Sequence, residues 1–364
     1  MDVLRELVGI DSTSTRSNLP LLAALERRVK GLGFETRLQR WQDAAGVEKG
    51  NLIAQRGTGR PGLALVGHSD CVPFDAGWAG ALTGEVRDGK LFGRGAADTK
   101  AFIAAALGAA ARVRTHAQPL ALVFTADEEV GCLGARALVE EGKLRPVRAI
   151  VGEPTRMTPV LGHKGYCLAE IAVTGAEGHS AYPETGASAV LAAGRLLRAI
   201  ERIAEEVRAD ADPAFSPPFT SLNVGLIAGG KAKNVIPGSC SLTVEWRPLP
   251  RQDVRLVLGK LEEAAAQVSQ GRIRAEVRVQ RLDAGVAVPR ETALVGFLST
   301  ESGRTPETIP FGTELPYLAT LGAEACVFGP GDIRVAHRTG EYVPLDELAR
   351  AEEILAGAIA RFCG

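Results

Sequence analysis

The sequence predicts an α/β fold: a three-layer domain built on a mostly parallel sheet, with an inserted βαββαβ domain of ferredoxin-like type. Three observations predict it. Short apolar runs interleave with helical periodicities in the first part of the chain. Near Tyr166 the pattern changes to strand, helix, two strands, helix, strand. After Leu282 the α/β character returns. The domains are therefore expected at residues 1–165 with 283–364, and at 166–282.

The elements follow in order. Leu21 to Leu32 has a helical period and stops at Gly33. NLIAQRG (51–57) and LALVG (63–67) read as strands, separated by the turn-rich GTGRPG. Thr99 to Val113 is an alanine-rich helix, LALVFTA (120–126) a buried strand, and Gly131 to Glu141 a helix. AIVGEP (149–154) is a strand running into a turn. In the insert, strands are expected at 168–173, 221–227, 239–246 and 273–280, and helices at 187–207 and 253–270. The Asp- and Pro-rich segment 209–219 is a loop. A helix near 292–301, the strand ACVFG and an amphipathic helix at 345–362 complete the chain.

Bulk properties narrow the function. The length of 364 residues suits two domains. A net charge of -1, from 42 basic and 43 acidic residues, builds no field for nucleic acid or an anionic membrane. None of the six cysteines forms a CxxC pair, so they read as small buried thiols in a reducing compartment. The N-terminus lacks a basic segment followed by an unbroken apolar stretch. The longest apolar segment, Ala101 to Ala111, is too short to span a bilayer. The expected location is the cytoplasm.

The chemistry-bearing residues gather at strand ends, where open α/β sheets place their functional groups. Of the five histidines, His68 follows LALVG directly and His337 follows ACVFGPGD. The acids at strand ends are Asp70, the triplet Asp127, Glu128 and Glu129, and Glu153. Asp98 sits immediately before a predicted helix. Taken singly, each has an ordinary reading: a hydrogen-bonded histidine, a solvated acidic turn, or an N-cap at Asp98. Taken together, they put two imidazoles and several carboxylates on one rim, which is unfavourable without a neutralising charge. Nitrogen and oxygen donors without thiolate suit zinc, or cobalt or manganese, and this set is right for two ions sharing a carboxylate. In the H-x-D pair, Asp70 is placed to orient His68.

GHSDCVPFDAGW, LFGRGAADTKA, FTADEEVG, VGEPT, GHKGY, GHSAYP, NVIPG with EWRPLP, and GPGDIRVAHRTGEY occur in this order. Together they resemble the dinuclear-zinc aminoacylase and carboxypeptidase family, from about residue 5 to the C-terminus. The resemblance implies that Asp98 bridges two zinc ions, that His68 and Glu153 complete one site, and that Glu129 and His337 complete the other. It implies Glu128 as general base and acid, Asp70 as the holder of His68, and a cis peptide between Asp98 and Thr99. It also implies that His179, otherwise a loop histidine, donates to the developing oxyanion from the inserted domain of a partner subunit, making the protein a homodimer. Asp127 fits neither role and is left as a structural acid.

VPFD, VGEPT, GHKG and TELP (313–316, with Thr313 and Glu314) are most similar to the branch of that family acting on N2-acetyl-L-ornithine, a step of arginine synthesis. On that reading Asn234 and Arg247, with Lys164 as helper, hold the substrate α-carboxylate. Glu314 is either an acid in the substrate pocket, paired with the cationic side chain, or a surface acid in a first helical turn. GWAGAL and the fifth position of GHSAYP depart from that branch. These departures keep other N-acyl amino acids open: acetylcitrulline, acetyl-lysine, succinyl-diaminopimelate or a broad range. An inactive relative that only binds metal or ligand would be expected to lack a ligand or the base. Here all are present.

Overall fold

The computed structural model describes residues 1–115 and 117–364; His116 lies outside the described residues. The chain divides into two compact units. One comprises Met1–Leu161, Val288–Glu307 and Thr313–Gly364, and the other Gly162–Ala287 with Thr308–Gly312. These boundaries fall close to, but not at, the expected 165 and 282.

The core of the first unit is a mixed sheet with a parallel centre. Its strands lie in the order Glu35–Gln42, Glu48–Arg56, Leu120–Thr125, Leu63–His68, Arg148–Val151, Glu324–Val327. The pairings from Leu120–Thr125 through Glu324–Val327 are parallel, and the Glu35–Gln42 and Glu48–Arg56 strands join antiparallel at one edge. LALVGH and LALVFT are buried at every position, as central parallel strands are. The register sets His68 beside Thr125 and Val66 beside Val151. The residues that follow these strands therefore emerge on one rim. The Glu35–Gln42 strand has no counterpart among the predicted elements. ETRLQRWQ is half-exposed along most of its length and carries no apolar run.

Helices Leu19–Gly31, Ala101–Arg112 and Leu345–Cys363 contribute to the same hydrophobic core. Alanine favours the helix and keeps Ala101–Arg112 slim, so it seats closely on the sheet. Gly152 makes this possible at one strand end. A Cβ there would lie 2.1 Å from the Phe102 ring. The helix expected from Thr99 begins at Ala101, because Ala96–Lys100 forms an irregular turn in which Asp98 (φ -117, ψ 90) is not helical. The helix expected from Gly131 begins at Leu133, after Gly131 (φ 126) and Cys132 (φ 53). No helix among the described residues is long and apolar enough to cross a membrane.

The second unit has the βαββαβ order. Strands Tyr166–Thr174, Ser221–Gly229, Ser239–Arg247 and Arg274–Asp283 form an antiparallel sheet with helices Ala189–Arg208 and Leu256–Val268. YCLAEIAVT alternates: Cys167, Ala169, Ile171 and Val173 are buried, and the residues between them are half-exposed. The buried set packs with Leu242, Val244 and Trp246 and the inner faces of both helices. Ser188 caps the first helix, its hydroxyl accepting from the Leu191 N–H at 3.2 Å. Ser221–Gly229 is an edge strand, and it leaves Leu226 and Ile227 exposed.

Candidate metal centre and active site

The rim of the first unit assembles from four strand ends and one turn. His68 is the last residue of its strand and is buried. Its Nδ1 lies 3.0 Å from the Asp70 backbone carbonyl, which can only accept, so Nδ1 carries the proton there. That leaves Nε2 facing Asp98 Oδ1 at 2.9 Å. Asp98 turns its other oxygen, Oδ2, to His337 Nε2 at 3.2 Å. His337 Nε2 also lies 3.1 Å from the Glu129 carboxylate. One carboxylate thus faces two imidazoles through different oxygens. The Asp98–Thr99 peptide is cis. Thr99 Oγ1 donates to the Gly152 carbonyl at 3.0 Å, tying the turn to the strand end that delivers Glu153.

Asp70 orients His68 differently from the expected way. Its carboxylate stands 3.6 Å from Nδ1, too far for a hydrogen bond, and the backbone carbonyl makes the contact instead. The carboxylate is engaged elsewhere. It accepts from Ser14 Oγ at 2.9 Å and from the backbone N–H groups of Glu128 and Glu129 at 3.1 and 3.3 Å. Asp70 therefore links the His68 strand to the acidic turn. That turn is set by Asp127, which has a left-handed φ of 56. Asp127 pairs with the buried Lys49. Glu128 and Glu129 part at this turn: Glu129 meets His337, and Glu128 accepts from the Cys132 thiol at 3.5 Å.

The electrostatics follow from burial and crowding. Burial, with the nearby charges of Glu129 and Asp98, pushes the Glu128 carboxyl up to about 8. Burial and Asp98 also raise Glu129, and burial with Asp98 and Glu128 holds Glu153 well above the ordinary carboxylate range. Burial opposes the charge on Asp98, but hydrogen bonds from His337 and His68 outweigh it and hold that carboxyl low. Contacts with Asp98 and Glu129 lift His337 to about 10. Burial works against a charged His68, yet Asp70 and Asp98 raise it well above its ordinary value. His68, Asp98 and Glu129 have ligand atoms within 4.8 Å of one another and could hold a metal ion. The donor set fits a divalent cation. It holds no thiolate, burial and mutual repulsion keep Glu128, Glu129 and Glu153 raised despite the two imidazoles, and His68 presents Nε2 after fixing its tautomer at Nδ1.

The remaining expected residues divide between the units. Thr313 and Glu314 are buried in the first. Glu314 is 1% exposed, so the surface-acid alternative does not hold. Its Oε2 accepts from Thr125 Oγ1 at 3.0 Å, Oε1 has no partner among the described residues, and burial lifts its carboxyl to about 7. In the second unit, His179 is exposed on a two-stranded ribbon opposite Val235, and the Ser180 N–H donates to the Asn234 carbonyl at 3.1 Å. His179 and Asn234 are therefore neighbours. Arg247 stacks on Tyr166, 4.2 Å from the ring centroid, and pairs with Glu245 at 2.9 Å. Lys164 is buried and donates to the Phe219 carbonyl at 2.5 Å. Sequence reasoning missed Ser14, Lys49, Arg94, Cys132 and Glu341. Arg94 and Glu341 lie inside two of the quoted motifs, the only signal they carried.

Comparisons with known proteins extend along the whole chain. The model of peptidase family M20/M25/M40 matches residues 64–361. An acetylornithine deacetylase of Myxococcus xanthus is 54% identical over 367 residues, covering 99% of this chain and 97% of that protein. One from Klebsiella pneumoniae (strain 342) is 35% identical, covering 100% of this chain and 97% of that protein. Among solved structures, a tripeptidase from Staphylococcus aureus superposes with a TM-score of 0.80 at 22% identity, covering 98% of this chain and 95% of that one. A metallo-carboxypeptidase from Sulfolobus solfataricus gives 0.78 at 16% identity, covering 97% and 96%. At these identities the two structures speak for the fold alone.

Proposed function

We propose that this chain, which belongs to peptidase family M20/M25/M40, hydrolyses N2-acetyl-L-ornithine to L-ornithine and acetate. The observation that carries the substrate is the 54% identity over nearly the whole chain to an acetylornithine deacetylase. On this reading the protein is a cytoplasmic enzyme of arginine synthesis.

Asp98 would hold two divalent cations, with His68 and Glu153 on one and Glu129 and His337 on the other. Zinc suits the donors best, with cobalt or manganese as alternatives. Bound there, the cations would lower the pKa of a water molecule and polarise the acyl carbonyl. Glu128, which its neighbours leave free of a metal-binding role, takes the proton from the attacking water and returns it to the leaving amine. Asp70 holds His68 through its backbone and the Glu128 turn through its carboxylate.

On this reading the inserted domain supplies Asn234 and Arg247, with Lys164 as helper, for the α-carboxylate, and the first unit supplies Thr313 and Glu314 for the side-chain end. His179 of a partner subunit donates to the oxyanion. The exposed edge strand with Leu226 (70%) and Ile227 (54%) supports a homodimer through this domain.

Steady-state hydrolysis of N-acetyl-L-ornithine beside N-acetyl-L-citrulline, N-acetyl-L-methionine and N-succinyl-diaminopimelate tests the substrate. Acetylornithine should lead in kcat/KM by roughly tenfold, about 1.4 kcal/mol of differential transition-state binding. Another amide in the lead would overturn the substrate and leave the hydrolytic reading standing.

A further inference from the structure

Asp98 rides on a turn that ordinary helix bonding does not hold. One buried carboxylate holds it instead. Glu341 is 0% exposed. Its Oε1 accepts from the backbone N–H groups of Ala97 and Asp98 at 3.0 and 3.1 Å. Its Oε2 accepts from the Gly95 N–H at 3.1 Å and from Arg94 Nη1 at 2.6 Å. The Glu341 backbone carbonyl accepts from the Gly93 N–H at 3.0 Å. Arg94 in turn donates to the Pro73 carbonyl at 3.4 Å and lies over the Trp78 ring.

This arrangement has a direction. Three amide dipoles and a guanidinium converge on one carboxylate and favour its charge, against burial and the nearby Asp98, which raise its carboxyl. Glu341 sits four residues beyond His337 and enters the strand Tyr342–Pro344, which pairs with Lys90–Phe92 just before the Asp98 turn. It therefore ties the segment bearing one imidazole to the segment bearing the shared carboxylate. A Gln at this position would present an amide NH2 group to N–H donors, leaving at least one buried donor without an acceptor.

We propose that Glu341, with Arg94 as its counter-charge, is a positioning residue for the metal centre that fixes the Asp98 carboxylate between His68 and His337. The proposal rests on the reading of that cluster as a metal site. It differs from a role in general stability because it acts on metal affinity in the folded protein.

The test titrates zinc into full-length wild type and Glu341→Gln in competition with a chromophoric chelator, with circular dichroism reporting the fold. Glu341→Gln should bind zinc about 10–100-fold more weakly. At saturating zinc its kcat should fall while KM for N-acetyl-L-ornithine stays within about twofold of wild type. Arg94→Lys keeps the charge and the carboxylate but loses the fork, and should show a smaller loss of zinc affinity in the same direction. A folded Glu341→Gln with wild-type zinc affinity overturns the proposal. If that variant does not fold, Arg94→Lys decides: wild-type zinc affinity there overturns it equally. Wild type that binds no zinc overturns the metal reading itself, and the proposal with it.

Discussion

Lys49 Nζ lies 2.8 Å from Asp127 Oδ1, and both side chains are 1% exposed. The pair clamps the left-handed residue that starts the acidic turn, directly before Glu128. Lys49 also donates to the Ser14 carbonyl, and Ser14 Oγ donates to Asp70 Oδ2 at 2.9 Å. A buried ion pair thus stands behind both Glu128 and Asp70. Removing one partner strands the other charge in a dry site. Lys49→Met should destabilise the protein by about 3–5 kcal/mol, and adding Asp127→Asn should recover part of the loss. Urea denaturation measures both. A Lys49→Met loss below about 0.5 kcal/mol would deny the pair this role.

The pH dependence of stability has a definite sign in the metal-free protein. A group raised in the folded chain contributes stability that is present below its ordinary value and is lost as pH rises through the folded one. Glu128 is raised from 4.5 to about 8 and Glu314 from 4.5 to about 7, both chiefly by burial. His337 is raised from 6.5 to about 10 by Asp98 and Glu129. Each slope runs downward, that of Glu314 from 4.5 to about 7, that of Glu128 from 4.5 to about 8 and that of His337 from 6.5 to about 10, so stability falls across about pH 6 to pH 9 with His337 alone acting at the upper end. The chelated protein should therefore melt at a lower temperature at the upper end of that window, and zinc should flatten the difference. Calorimetry that finds the chelated protein more stable at the alkaline end contradicts this.

Glu314 carries one oxygen bonded to Thr125 and one without a partner among the described residues. An ammonium group on the substrate would give that second oxygen a charge-assisted partner. Glu314→Gln should then raise KM for acetylornithine roughly tenfold, about 1.4 kcal/mol, and leave KM for acetylmethionine nearly unchanged. Equal effects on the two substrates reject the pairing.

The edge strand offers a test of the proposed dimer and of the role proposed for His179. Ile227→Lys puts a charge on the exposed row at Leu226 and Ile227 and should yield a monomer by sedimentation. If His179 acts across the dimer, that monomer is nearly inactive although its metal centre is intact. A fully active monomer removes His179 from the partner's role.

What was legible in the sequence was what lies along the chain. LALVGH and LALVFT are unbroken apolar runs, so their strands and the functional groups at their ends could be read directly. The alternation in YCLAEIAVT announced the antiparallel sheet of the inserted domain in the same way. The resemblance, not the spacing, separated the roles of Glu128 and Glu129. What stayed hidden depends on packing between distant segments. Glu341 reaches Arg94 across 247 positions, and Lys49 reaches Asp127 across 78. No local pattern marks either pair. The H-x-D pattern predicts a carboxylate holding an imidazole, but the backbone geometry gives that contact to the Asp70 carbonyl.

The most direct test of the central claim counts bound zinc and measures acetate release from N-acetyl-L-ornithine for wild type and Glu128→Gln side by side. Both proteins should bind two zinc ions, and only wild type should turn over at an appreciable rate, the variant falling by about 10²–10⁴-fold. Zinc-loaded wild type that releases no acetate, or a Glu128→Gln variant as fast as wild type, would contradict it.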